Sequence, residues 1–396
     1  MLFVAEAVTL AHVARPLALS ASVDRTRFDV SFACAERSHW LLQEFAGDVL
    51  VLDSIDGATF MAALARGKPL YDEATLMRYV AADLALLKQV QPDVVIGDFR
   101  LSLSISARLA KVAYWSITNC YWSPCWRPQY YPVPDLPLSR TLPLPMAQIL
   151  FQIARPVAFA LHCRPLNRVR QRHGLPALGH DLRRVYTDAD HVLYADVPEL
   201  FPGVTLPPEH HFIGPVPWSP PVPAPSWWQQ LDAARRVIYI TLGSSGQAQL
   251  LAPVLAALST LDASLIVSTA GATVAQALPS NAYGALYLPG NAAAARSSLV
   301  ICNGGSPTSH QALAAGIPVI GIAGNLDQFL NMATICETGA GELMRADHFD
   351  GKKLFDMTEI ILSGHSHVAA AKQVERWFDA CPSPLRFASL LDNLVR

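Results

Sequence analysis

LVICNGGSPTSHQALAAGIPVIGIAGNLDQ, residues 299 to 328, is the stretch on which the reading of this chain turns. Leu299-Val300-Ile301-Cys302 is an apolar run suited to a buried parallel strand. A Gly304-Gly305 turn follows, then the small hydroxyl residues Ser306, Thr308 and Ser309. Gln311 to Ala315 read on as helix until Gly316 and Pro318 stop it. A strand that passes through a glycine turn into a helix leaves backbone N–H groups at the positive end of a dipole, which suits a phosphate. A second apolar run, Val319 to Ile322, then delivers Asp327-Gln328 at the carboxyl edge where open α/β sheets bind ligands. The expected ligand is phosphorylated and rich in hydroxyls.

The segment resembles the donor signature of the family 1 glycosyltransferases, the UDP-glycosyltransferases and their bacterial macrolide-modifying relatives. It matches as Asn303-Gly304-Gly305-Ser306-Pro307-Thr308-Ser309-His310-Gln311-Ala312-Leu313, then Gly316-Ile317-Pro318, then Asp327-Gln328. Three positions depart from the family pattern. Asn303 stands where a histidine usually contacts the diphosphate, and Pro307 replaces a glycine and removes one backbone donor. Gln311 replaces a ribose-binding glutamate, although its amide oxygen still accepts from a hydroxyl.

Composition sets the class around that motif. A chain of 396 residues, 52% hydrophobic and 16% charged, implies two or three domains with large cores. With 30 basic and 32 acidic residues it carries no electrostatic footprint for nucleic acid. Seven cysteines lie scattered without metal-ligand spacing, as in reduced cores of a cytoplasmic protein. No metal and no cofactor are expected, the sugar nucleotide being a co-substrate. MLFVAEAVTL lacks a basic leader and carries Glu6, so it reads as a first buried strand rather than a signal peptide. No run reaches the 18 or so uncharged apolar residues that span a bilayer.

Apolar strand runs alternate with helices in both halves: Leu2 to Ala5, Phe28 to Ala33, Val49 to Leu52, Asp93 to Gly97 and Ala113 to Thr118, then Val237 to Leu242, Ser264 to Ser268, Ala285 to Leu288, Leu299 to Cys302 and Val319 to Ile322. That alternation predicts α/β architecture with parallel sheets covered on both faces. The resemblance implies the GT-B fold, two doubly wound Rossmann-like domains facing each other across a cleft. The expected organisation is an acceptor domain over 1–200, a stiff proline-rich linker over 201–228, a nucleotide-sugar domain over 229–383, and a terminal segment, 384–396, crossing back to the first domain.

Two more donor-side elements follow from the resemblance. Gly243-Ser244-Ser245-Gly246, after a strand, is similar to the family's Gly-Ser loop, where serine and backbone amides approach the phosphates; alone it is a plain strand-to-helix turn. Tyr287 stands where an aromatic ring packs against the base, with a buried strand tyrosine as the other reading. Asp327 and Gln328 are expected on the sugar hydroxyls, against the simpler reading of Asn325 or Asp327 as a helix cap.

The chemistry is expected from the first half. The resemblance makes His12, in Leu10-Ala11-His12-Val13-Ala14-Arg15-Pro16, the general base, and Asp98 the carboxylate that orients it. A lone helix-start histidine and a strand-ending aspartate are each more often structural. Trp115, Tyr121, Trp122 and Trp126 are candidate walls of a pocket for a small lipophilic or aromatic acceptor, or rings that pin a long loop. Pro143 to Leu161 presents an apolar helical face suited to covering that pocket or to a peripheral place at the inner face of a membrane. Glu209-His210-His211 reads as loop residues rather than a metal site. The function expected is inverting transfer of a hexose from a UDP- or dTDP-sugar. The alternatives are a catalytically silent sugar-nucleotide-binding partner protein and an epimerase or hydrolase on the same fold.

Overall fold

The computed structural model describes residues 1–232, 234–243, 247–271 and 277–394, and the chain divides into two compact units. The first comprises Met1–Tyr131, Pro143–Val216 and Cys381–Arg396; the second comprises Pro132–Leu142 and Pro217–Ala380.

In the first unit the strands are β1 (Leu2–Ala5), β2 (Ser31–Cys34), β3 (Val49–Val51), β4 (Val94–Asp98), β5 (Ala113–Thr118), β6 (His191–Tyr194) and β7 (His210–Phe212). They pair in parallel in the order β3-β2-β1-β4-β5-β6-β7. In the second unit β8 (Arg236–Thr241), β9 (Ala263–Ser268), β10 (Ala282–Ala285), β11 (Leu299–Cys302), β12 (Val319–Ala323) and β13 (Gly341–Arg345) pair in parallel as β10-β9-β8-β11-β12-β13. Central strands are apolar on both faces because helices cover both: Leu2, Val4, Val95 and Ile96 in one sheet, and Ile238, Ile240, Leu265, Ile301 and Ile320 in the other, are fully buried. Each such side chain contributes about 1.5–3 kcal/mol relative to exposure.

Both sheets reverse their winding direction once. In the first the switch lies between β1 and β4, with Ala5 opposite Asp98. In the second it lies between β8 and β11, with Thr241 opposite Cys302. These switch points, at the carboxyl ends, are where a doubly wound sheet opens a ligand crevice.

Several expectations are corrected. The stretch 201–228 is not all linker: His210–Phe212 forms β7, an edge strand, and the two units divide between Val216 and Pro217. Prolines flank that strand rather than interrupt it. β10 lies three residues before the expected Ala285 to Leu288, because Tyr283 and Gly284 pair with Ile266 and Val267 while Leu286 faces solvent. The helix expected over Gln311 to Ala315 spans Ser306–Ala314, starting earlier because the Gly305 cap admits Ser306 and Pro307 as its first residues. β13 carries Glu342 and Arg345, and its charges hid it from a hydrophobic reading. The helix begun at Pro143 runs as Leu144–Arg172 through Pro156 and Pro165, and by length and composition it is apolar enough to cross a membrane. Gln148 donates to the Tyr131 carbonyl at 2.7 Å and Gln152 donates to the same oxygen, so the helix is tied to its own unit.

Candidate active site

His12 lies in the first turns of the helix Leu10–Ser20, which leaves the carboxyl end of β1, and Asp98 is the last residue of β4. The switch point makes them neighbours: His12 Nδ1 lies 2.9 Å from Asp98 Oδ1. Asp98 is fully buried and the His12 side chain 17% exposed. With Nδ1–H donating to the carboxylate, the lone pair sits on Nε2, the tautomer a general base needs.

Sequence reading missed the rest of this arrangement. Arg15, one turn after His12, donates from Nε to Asp98 Oδ2 at 2.8 Å and from a terminal nitrogen to Oδ1 at 2.9 Å. Its other terminal nitrogen donates to Asn119 Oδ1 at 2.6 Å, and Asn119 donates to Asp196 at 3.1 Å. The buried carboxylate is thus paired with an arginine as well as a histidine, which offsets its desolvation. The i, i+3 spacing of His12 and Arg15 was the available signal.

Phe99 stacks on His12 at 4.6 Å and 12°. Its φ of +59° is left-handed, a conformation costing about 1–3 kcal/mol that clusters at functional sites. Beneath it Arg100 is fully buried, pairing with Glu6 at 2.8 Å and Asp83 at 3.0 Å and lying 3.6 Å over the Tyr79 ring. Phe60, Tyr71 and Tyr186 surround Phe99 at 5.6–6.4 Å.

Of the four expected acceptor-wall residues Trp122 joins this cluster, edge-on to Tyr186 at 4.9 Å, with Tyr121 behind it at 6.4 Å. Trp115 is 2% exposed and meets His191 and Phe387 in the core. Tyr121 is buried too, and Trp126 is buried against Phe201. An apolar strand or loop residue looks the same in sequence whether it lines a pocket or a core.

In the second unit the turn after β8 and the turn after β11 abut. A Cβ on Gly243, whose φ is +63°, would lie 3.2 Å from the Asn303 amide nitrogen, so the approach requires glycine. Ser244 and Ser245 lie outside the described residues. Asn303 is buried, and its Oδ1 accepts from the Gly305 N–H at 3.1 Å, shaping the turn that a histidine would otherwise begin. Gly304 has φ +78°, and a Cβ there would meet Met332 at 2.8 Å. Asn331, unforeseen, braces the turn by donating to the Gly304 carbonyl at 2.8 Å and to Ser309 Oγ at 2.9 Å. Ser306 and Thr308 stand in the first turn of the helix Ser306–Ala314, where amides have no carbonyl within the helix and Pro307 offers none.

Gln311 is buried; its Nε2 donates to the Trp218 carbonyl, and Oε1 is the acceptor atom the ribose reading requires. Tyr287 follows β10 rather than lying in it, half-buried. Asn325 caps the helix Leu326–Glu337 in a reciprocal box with Gln328, whose Oε1 accepts from the Gly324 and Asn325 amides at 2.9 and 3.2 Å. The oxygen of Gln328 is therefore engaged by the backbone of its own cap. Asp327 lies half-buried in the first turn of the same helix.

His310 is buried and packs edge-on to Phe378 at 5.3 Å. His210 and His211 are strand residues, bonded to the Tyr194 hydroxyl at 2.7 Å and to His191 at 3.1 Å. Among the described residues no three His, Cys, Asp or Glu side chains gather as a metal site.

A family profile described as "Erythromycin biosynthesis protein CIII-like, C-terminal domain" matches residues 252–394. The chain is 47% identical over 378 residues to a "PGL/p-HBAD biosynthesis glycosyltransferase" of Mycobacterium tuberculosis (strain ATCC 25177 / H37Ra), covering 96% of this chain and 88% of the relative. It is 47% identical over 374 residues to a "PGL/p-HBAD biosynthesis rhamnosyltransferase" of Mycobacterium bovis (strain BCG / Pasteur 1173P2), covering 94% and 83%. Among solved structures, "Spinosyn Rhamnosyltransferase SpnG complexed with thymidine diphosphate" superposes with a TM-score of 0.70 over the full length of both chains at 19% identity.

Proposed function

This chain belongs to the family 1 glycosyltransferases of GT-B fold, and from that footing we propose that it moves a hexose from a dTDP- or UDP-sugar to a hydroxyl of a small lipophilic acceptor with inversion at the anomeric carbon. The observation that carries the chemistry is the 2.9 Å contact of His12 with buried Asp98. His12 Nε2 takes the acceptor proton as the acceptor oxygen bonds to the anomeric carbon and the bond to the diphosphate breaks. Asp98 fixes the tautomer and stabilises the imidazolium that forms. The nucleoside diphosphate leaves toward the turns after β8 and β11, where first-turn amides and the helix dipole face the developing charge. Asp327 and Gln328 address the hexose, and Tyr287 packs on the base.

A thermal-shift screen of UDP-, dTDP- and GDP-sugars identifies the donor, since a ligand of the folded state raises its apparent stability. With that donor and a panel of phenols and long-chain alcohols, His12→Ala should lower turnover by roughly 10²- to 10⁴-fold with donor affinity retained. Near-normal turnover of His12→Ala would remove the general-base role. A silent binder would take up nucleotide yet glycosylate nothing, and a hydrolase or epimerase would consume donor without acceptor.

The acceptor class also suggests where the enzyme works. On the helix Leu144–Arg172 the side chains of Met146, Ile149, Leu150, Ile153, Val157 and Leu161 lie exposed along one face, Ile153 at 71%. The same helix has no acidic residue and continues with the exposed Arg164, Arg168 and Arg172, the last two meeting Glu73, while Arg170 is buried on Asp188 and Arg155 lies over the Tyr131 ring. An apolar stripe beside cationic residues suits an anionic membrane interface. Co-sedimentation with phosphatidylglycerol vesicles should be lost in Ile153→Glu/Val157→Glu; equal sedimentation of both proteins would sink the peripheral placement.

A further inference from the structure

The segment Pro132–Leu142 belongs to the second unit, although the residues on either side of it, Tyr131 and Pro143, belong to the first. It is fastened along its length. The Asp135 amide donates to the Gly324 carbonyl at 2.7 Å, and Arg345 donates to the Val133 carbonyl at 2.8 Å. Ser139 Oγ donates to Asp347 at 2.7 Å, and Asp347 is held in turn by Arg345 at 2.8 Å. The Asp135 side chain is only 4% exposed; its carboxylate accepts from Arg140 at 2.6 Å and from the Gln247 amide. Gln247 borders the loop after β8. Gly324, where an added Cβ would meet the Gln247 amide at 3.0 Å, follows β12 and precedes Asp327 and Gln328.

We propose that this segment is part of the donor-binding apparatus and that Asp135 is a positioning residue for the sugar nucleotide. One residue ties Gln247, which lies between β8 and the next helix, to Gly324, which follows β12, the first through its carboxylate and the second through its backbone. The two loops address opposite ends of the donor, diphosphate and hexose, so their spacing is a property the ligand reads. A buried carboxylate with two donors holds that spacing more firmly than either loop alone. The inference rests on the glycosyl-donor reading of these loops.

The test is titration calorimetry with dTDP and UDP, alongside donor KM and kcat. Asp135→Ala and Gln247→Ala should each weaken nucleotide binding and raise donor KM by roughly 10-fold, with kcat at saturating donor little changed. The double variant should be no weaker than either single one, because both remove the same link. Asp135→Asn, which keeps an acceptor for the Gln247 amide, should restore affinity to within a factor of about two. If Asp135→Ala does not fold, Gln247→Ala carries the same expectation. Unchanged affinity in Gln247→Ala, or additive losses in the double variant, overturns the positioning role. A native protein that binds neither nucleotide fails differently, because it removes the donor reading before any variant is compared.

Discussion

At the scale of single residues, the proposed donor site has neutral side chains, Asn303 and Gln311, where the family pattern has ionisable ones. Asn303 spends its side-chain oxygen on the Gly305 amide, so its part in the turn is geometric as well as polar. Asn303→Asp keeps that acceptor and adds a negative charge beside the phosphate turns. Its expected effects are nucleotide binding weaker by about 10-fold or more, since like charges a few ångströms apart repel even at an effective dielectric near 20, and a lowered melting temperature, since the new carboxylate is buried. Calorimetry with dTDP checks the binding; unaltered affinity would place the diphosphate elsewhere. At the dyad, Asp98→Asn should cost turnover by presenting the wrong hydrogen-bonding group to His12 Nδ1, and it should also cost stability by weakening the Arg15 pair. Arg15→Gln, which spares the histidine contact, separates the two effects when turnover and melting are measured together.

At the scale of elements, two buried polar assemblies set the stability of the first sheet. Arg100 joins β1 to the helix Glu73–Val90 through Glu6 and Asp83. Arg100→Leu strands both carboxylates in the core and is expected to cost about 3–5 kcal/mol, read as a lowered urea midpoint. The β6–β7 edge carries the pH dependence. Burial holds His210 and His211 below the ordinary histidine value of 6.5, and for His211 the neighbouring imidazoles of His191 and His210 add to it. Below that value the unfolded chain binds protons that the folded edge does not, so stability is present above it and is lost as the pH falls. Melting of the first unit should therefore drop between pH 7 and about 5, and His211→Gln should flatten the slope. An unchanged slope would assign the acid sensitivity to other groups.

At the scale of the whole molecule, the chain does not keep its two halves separate. Its last helix, Ser383–Leu394, returns to the first unit, where Phe387 lies fully buried against Phe3 at 6.1 Å and Trp115 at 6.3 Å. Gly214, at φ +84°, turns there with no room for a side chain beside the Cys381 carbonyl. Phe387→Ala should destabilise the first unit by about 3–5 kcal/mol. In calorimetry one transition should move down while the transition raised by dTDP stays in place. A parallel fall of both transitions would mean that the two units unfold as one.

The strands and the donor signature were legible in the sequence because they rest on local facts. An apolar run bounded by turn residues makes a buried strand wherever it sits, as Leu2–Ala5, Ala113–Thr118 and Leu299–Cys302 do. The glycines at 304 and 305 announce a backbone approach that a side chain would block. The sequence also paired His12 with Asp98, but only through family resemblance, since they stand 86 positions apart. What it could not supply was which distant groups share a partner. Arg15 beside Asp98, Asn331 under the Gly304 turn, and Trp115 in the core rather than in a pocket all depend on strand order. So does the fastening of Pro132–Leu142 to the second unit. Periodicity records whether a residue faces inward, whereas its neighbours there are chosen by the winding of the sheet, which brings β1 to β4 and β8 to β11.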